Sequence, residues 1–433
     1  MLKTKNQEKS EKTMAQVMLN LPDFLVSSRA SKVARHYGFI PIEFPPLKKT
    51  DIQKSKLFKE CLNERNLWQH HSLFIDPKEK SALIKNYFEG GLQSMHHPLL
   101  VYYEGDLSSE ESKKFSLAGK RKICLEILGS TRSVSEAILL KTAVAILKDE
   151  GEENLLIEIN SVGDKDSISK FTKELSIHYK KNIDALAPSC RDILKEDVMK
   201  AYLCAHEKCA PIRENAPTSI SFLSEPHRKH FMEVMEFIER MSVPYRIKNS
   251  LIGNRNLCNH TIFEIRLNEN EDGTKSKEEE LLEGITNLRS LPLAVGIRYN
   301  GLAKKMEYRK DVPAVGVSVL VAHKNNKRQE IQQKVFYKRP QFYFVQLGAE
   351  AKLQSLELIE FLRENKIPIH QSLHKDKLAL QLTQAEGLHI PYILIMGQKE
   401  AVEKTILVRN METRAQETIP IYKLAGYLKN IPI

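Results

Sequence analysis

The residues of this chain best equipped for chemistry are a small set of sulfur and imidazole donors. Cys204-x-His206-x-x-Cys209, with Cys190 upstream, carries the atom types that hold zinc. The spacing is not that of a standard zinc ribbon, and the segment has the pattern of a helix end and loop, so no metal is assigned. The pairs His70-His71 and His96-His97 lack carboxylates at useful spacing and are expected in loops. No G-x-x-x-x-G-K-[ST], G-x-G-x-x-G or G-x-S-x-G occurs, which leaves phosphate-loop, dinucleotide and hydrolase chemistry without support. What remains is charge. Lys304, Lys305, Arg309, Lys310, Lys324, Lys327, Arg328, Lys334, Lys338 and Arg339 form a basic run that fits either an RNA backbone or a solvated surface.

The whole chain leans the same way. Its 433 residues are enough for two or three domains with substantial cores, and 42% hydrophobic with 28% charged residues is an ordinary balance for a globular protein. A net charge of +11 and a pI near 9.1 favour a polyanionic partner. The six cysteines (Cys61, Cys124, Cys190, Cys204, Cys209 and Cys258) form no framework, so a reducing cytoplasm is expected. Residues 1–20 are polar and lysine-rich, with no apolar signal core or membrane span, and are expected to be a disordered basic tail.

Periodicity supplies the elements. Ser27–Gly38 has a helical pattern leading into the proline-stiffened segment Phe39–Leu47, and further extended blocks are expected at Leu73–Ile75 and Leu99–Tyr103. Ile123–Leu128 and Leu155–Ile159 are apolar strands around a helix, Ser133–Lys148, with Ala137, Leu140 and Val144 on one face. Residues 164–248 are helical in pattern. Strands return at Thr261–Leu267, Leu293–Tyr299 and Ala314–Ala322. At the C-terminus, Phe342–Leu347, a helix over Ala349–Lys366, Ile367–Ile369, a helix over Leu378–Glu386 and Tyr392–Met396 alternate strand with helix. Thr405–Arg409 and Glu417–Ile421 flank the polar turn Asn410–Ala415 as a hairpin. Such alternation implies a partly parallel sheet with covered faces.

This last segment resembles the anticodon-binding domain of the histidyl, threonyl, prolyl and glycyl class of tRNA synthetases. Leu362-Arg363, Gln381, Ala385, Gly397, Glu400, Arg409, Thr413 and Gln416-Glu417 carry the match. The rest of the chain resembles the class II catalytic core of histidyl-tRNA synthetase. Ile157–Asp164 (IEINSVGD) is the most specific match, supported by Tyr37–Leu47, Ile123–Gly129, Ile297–Leu302 and Val312–Gly316. The resemblance implies an α+β fold. Residues 21–330 would form an antiparallel class II core with a helical insertion at 164–248, and residues 338–433 an α/β anticodon-binding domain with a mixed sheet. It also implies a homodimer, and contact with tRNA or a related structured RNA, for which Arg363, Lys377, Gln381, Glu400 and Arg409 are the candidates.

Catalysis in that family needs fixed arginines to stabilise charge on ATP in the transition state. Flanking matches place Ser109, Gly253 and His323 at three such positions, and Leu320 where the third motif has glycine. The LRPE-x-T segment falls on Leu83–Phe88. Glu111, Glu126 and Arg298 are retained, as a vestigial ligand pocket. Losing one preorganised contact costs ~3 kcal/mol or more, so the expectation is a synthetase-like fold without aminoacylation, metal or cofactor. Two alternatives stay open. One is an active histidine–tRNA ligase using ATP and Mg²⁺, with Arg255 and Lys122 as substitute cations. The other is a regulatory subunit of the ATP phosphoribosyltransferase type, whose members lack a C-terminal domain like this one.

Overall fold

The computed structural model describes residues 28–43, 71–107, 109–204, 206–268, 291–322 and 340–431. The expected N-terminal tail and most of the basic run beyond Ala322 lie outside them. Among the described residues no helix is long and apolar enough to cross a membrane.

The larger sheet has eight strands: β1 (Ile40–Pro41), β2 (Leu99–Asp106), β3 (Lys120–Leu128), β4 (Leu155–Ser161), β5 (Tyr245–Ile247), β6 (Asn259–Leu267), β7 (Ala294–Arg298) and β8 (Ala314–Ala322). Their order is β1-β2-β3-β8-β7-β6-β4-β5. The six inner strands pair antiparallel, as expected, but β1 lies parallel to β2 and β5 parallel to β4, so the sheet is mixed at both edges. Two-residue and three-residue edge strands leave no periodic signal in the sequence.

Helices cover both faces. They are α1 (Arg29–His36), α2 (Pro77–Glu89), α3 (Ser109–Lys114, between β2 and β3), α4 (Val134–Asp149), and the run α5 (Lys165–Lys181), α6 (Pro188–Glu196), α7 (Val198–Tyr202) and α8 (Glu225–Glu239). Helix α4 is the central one. The sequence suggests one apolar stripe, yet nearly every residue from Val134 to Leu147 is buried, because the sheet lies on one side and α1 and α8 on the other. Leu73–Ile75 differs from expectation. His71–Phe74 is a helical turn, closed by Ile75 N–H to the His71 carbonyl at 2.8 Å, since so short an apolar run has no period of its own.

The smaller sheet runs β10-β9-β11-β12-β13, with β9 (Phe342–Gln346), β10 (Ile369–Gln371), β11 (Tyr392–Met396), β12 (Thr405–Asn410) and β13 (Gln416–Pro420). The first three strands are parallel and the last two add antiparallel. Along β9 the side chains alternate. Phe342 and Phe344 join the core shared with α9 (Ala349–Glu364), while Tyr343 and Val345 pack on the other side, against Ala385 of α10 (Leu378–Gly387). Helices α11 (Gln398–Glu403) and α12 (Ile421–Lys429) complete the domain.

The two sheets share one continuous hydrophobic core through α4 and α9. Polar contacts trim the junction. Tyr37 Oη donates to Glu360 at 2.6 Å, Gln371 Nε2 donates to the Tyr37 carbonyl at 3.0 Å, and His36 Nε2 lies 3.0 Å from the Ile359 carbonyl. Arg132 pairs with Asp376 at 2.5 Å, and Ser135 Oγ sits 3.1 Å from His374 Nε2. Burial drives the His374 imidazole down to about 3, helped by Arg132, and that of His370, on β10, to about 4.

Arg298, at the end of β7 and 1% exposed, holds this arrangement from inside. Its guanidinium makes two 2.6 Å bonds to the carboxylate of Glu136 on α4, one at 2.8 Å to the Ser130 carbonyl and one at 3.3 Å to that of Arg132. Burial alone would raise the Glu136 pKa; Arg298 and His230 outweigh it and hold it at about 2, against an ordinary 4.5. Replacing Glu136 with Ala strands a buried cation and is expected to cost about 3–5 kcal/mol in denaturant unfolding. Because the folded-state value is depressed, the pair's contribution is complete above pH 4.5 and is lost as pH falls toward 2. A pH series on wild type and Glu136→Gln measures it, the variant losing the Glu136 share of that dependence.

Candidate functional site

The site expected from the sequence lies on the face of the large sheet covered by α2 and the helical run after β4. Glu126, on β3, has no solvent exposure. Its carboxylate lies over Gly316 of β8, where a built Cβ would come within 1.9 Å of Oε2, so glycine is required there for space. Two groups close on it: Lys80 of α2 pairs with Oε1, and Tyr299 Oη donates to Oε2 at 2.7 Å. The Lys80 ammonium also lies 5.3 Å from the Tyr299 ring centroid. One residue before Lys80, Glu79 pairs with Lys122 of β3 at 2.7 Å. Cations and carboxylates in this depression are therefore matched to one another.

The third retained residue, Arg298, is spent on Glu136 and the 130–132 carbonyls. The other retained residue, Glu111, lies in α3, which Ser109 begins; their side chains, and the whole of His323, lie outside the described residues. Leu83–Phe88, where the amino-acid-binding segment was aligned, sits inside α2 with Leu83 and Ile84 packed in the core. The residues of α2 that face Glu126 and Lys122 come one turn earlier, at Lys80 and Glu79. The signal for that register was present: Asp76 caps the helix, accepting from Lys78 N–H at 2.8 Å, and Pro77 opens it.

Of the three positions aligned with family arginines, Gly253 is the one whose surroundings the structure describes most fully. Its φ of +68° is a left-handed conformation, and an added Cβ would meet Ile262 Cδ1 at 2.6 Å and Cys258 Sγ at 2.9 Å. The loop before it is fastened by Asn160 of the INS turn, whose Nδ2 donates to the carbonyls of Asn249 (3.1 Å) and Leu251 (2.9 Å). The backbone here is built for glycine. The two substitute cations are also engaged, Arg255 with Asp197 of the helical run and Lys122 with Glu79. Nearby, His230 Nε2 lies 3.0 Å from Glu136, and the rings of His227 and His260 are 4.2 Å apart. Burial, reinforced by His227 and Arg298, takes His260 down to about 3.

In the C-terminal domain three of the RNA-contact candidates are engaged within the fold. Gln381 is fully buried and ties α10 to β9, donating to the Gln346 carbonyl at 2.9 Å and accepting from Gln346 N–H at 3.2 Å. Glu400 is the cap of α11, accepting from Gly397 N–H at 2.9 Å. Arg363 turns inward to Glu360 (2.8 Å) and across the junction to Asp149 of α4 (3.0 Å). Lys377 is exposed, just before α10, and Arg409 is half-exposed on β12 opposite Gln416. The hairpin that follows Arg409 is shaped by Asn410 Oδ1, which accepts from Glu412 and Thr413 N–H at 2.9 and 3.0 Å, and it presents exposed Arg414. Of the Cys and His cluster, the fold gathers Cys190, Cys204 and Cys209 and leaves out His206.

Lys80→Ala is expected to destabilise the protein by about 3–5 kcal/mol, because it leaves a buried carboxylate without its cation. Gly253→Arg is expected to cost about 2–4 kcal/mol through left-handed strain and overpacking. Chemical denaturation of both variants measures these effects; a neutral Gly253→Arg would mean the loop can reopen to seat a guanidinium.

Residues 341–431 match the anticodon binding domain family. Along most of its length the chain is similar to curated histidine–tRNA ligases. It is 26% identical over 364 residues to that of Staphylococcus saprophyticus, spanning 83% of this chain and 82% of the relative. It is 24% identical over 417 residues to that of Staphylococcus haemolyticus, spanning 93% and 94%. Among solved structures, apo histidyl-tRNA synthetase of S. aureus aligns over 99% of this chain and 100% of its own, at 20% identity and a TM-score of 0.45. Over most of its length the chain is thus similar to histidine–tRNA ligases, and its C-terminal residues match an anticodon-binding domain.

Proposed function

We propose that this protein binds tRNA or a related structured RNA through its C-terminal domain and does not aminoacylate it. The observation that carries the reading is the Glu126 depression, where Lys80, Tyr299, Glu79 and Lys122 satisfy one another. Activation of an amino acid needs cations free to meet ATP as negative charge develops. Cations already committed to buried carboxylates would first have to be separated from them, at a cost of several kcal/mol. The rebuilt loop at Gly253 supports the same conclusion, while the match at residues 341–431 supports retention of RNA contact. Pairing of two copies through the region after Tyr37 is part of the proposal, as in the class II cores that the sequence resembles.

On the RNA side, the exposed cations Lys377 and Arg414 are better placed than Arg363, which the core already holds. Lys377→Ala and Arg414→Ala are each expected to weaken tRNA binding and to reduce the slope of log affinity against log salt by about 1. Arg363→Ala should leave that slope alone and lower stability by about 1–3 kcal/mol. The primary test joins histidine-dependent ATP–pyrophosphate exchange and tRNA charging with tRNA binding at ~150 mM salt. Binding without exchange or charging is the expected result, and histidine charging would overturn it.

A further inference from the structure

We propose that Cys190, Cys204 and Cys209 form a structural zinc site within the helical run that follows β4. The three thiols come from three separate short elements: the first turn of α6, the residue pair after α7, and the turn Glu207–Cys209. They are 1%, 3% and 1% exposed, and their sulfurs all lie within 4.8 Å of one another, with Cys190 and Cys204 at 3.1 Å. Zinc–sulfur bonds of ~2.3 Å in a tetrahedron place sulfurs about 3.8 Å apart, inside the range found here. A thiol is a weak donor and a weak acceptor, so three gathered from three elements gain little from one another. A soft divalent cation gives that convergence a cause.

The surroundings fit a thiolate cluster. His206 backbone N–H donates to Cys204 Sγ at 3.4 Å, and the Arg213 guanidinium, bonded to the Cys204 carbonyl at 2.7 Å, brings positive charge to a site that would carry one net negative charge. Tyr179 Oη is buried without a hydrogen-bond partner among the described residues. The imidazole of His206 is turned to Lys208 N–H instead, at 3.2 Å. The three thiolates are the ligands that the described residues gather, and the fourth position is left to a ligand from outside the cluster. Binding expels three thiol protons for each zinc, so affinity falls as pH is lowered.

Untagged full-length protein, isolated from zinc-containing medium and dialysed, should hold about one zinc per chain by elemental analysis. Cobalt substitution should add a thiolate-to-metal charge-transfer band and the visible bands of a tetrahedral site. Cys204→Ser and Cys209→Ser should lose the metal and the spectrum; Cys124→Ala, a buried cysteine elsewhere, should keep both. Metal-free wild type whose three thiols titrate freely would overturn the proposal. So would a Cys190–Cys204 disulfide in metal-free protein, or equal zinc content in the triple Cys→Ser variant.

Discussion

A guanidinium with no route to water must find its counter-charge inside the fold, and Arg298 does so in a way that fixes much else. Its bonds to Glu136 lock α4 onto the end of β7, and its bonds to the Ser130 and Arg132 carbonyls fix the turn that leads into α4. That turn carries Arg132 and Ser135, which reach Asp376 and His374 in the C-terminal domain. Placement of the second sheet is therefore linked, through two peptide carbonyls and one helix, to a buried ion pair in the first. The same pair holds His230 against Glu136, which draws in α8 from the opposite side.

The Glu126 depression follows the same electrostatic logic at a different place. A carboxylate over Gly316 with no exposure cannot stay ionised alone, and Lys80 with Tyr299 meets its demand. Neighbouring side chains thus satisfy the carboxylate within the fold, in the space that Gly316 leaves for it. Glu158 on β4 is satisfied similarly, by Arg246, Lys248 and Arg266 from adjoining strands.

What the sequence makes legible follows from the length of each signal. In the C-terminal domain β9, α9, α10 and β11 fall where the periodicity places them and the hairpin where the polar turn indicates, whereas three-residue β10 is offset by two residues and the short helices α11 and α12 have no counterpart in the sequence reading. The edge strands β1 and β5 are too short for any period, and His71–Phe74 is an apolar run equally compatible with strand or helix. Site residues were less legible than elements. Gln381, Glu400 and Arg363 serve here as a buried amide, a helix cap and a junction ion pair, and a motif does not distinguish such roles from ligand contact. Lys80 was missed because register along α2 shifted by one turn, whereas Glu126 and Arg298 sit on strands whose pairing fixes their facing.

The histidines packed at the junction and beside Arg298 give the fold a bias in how it meets acid. His260, His370 and His374 are held neutral by burial, with values near 3, 4 and 3 against an ordinary 6.5. Once pH drops below 6.5 the unfolded chain takes up protons at these rings while the folded chain does not, so each ring shifts the balance toward unfolding. That drift begins about two pH units above the range in which Glu136 loses its charge. Mild acidity therefore bears in part on the seam between the two sheets, where His374 meets Ser135, and this couples the coherence of the whole molecule to the acidity of its surroundings.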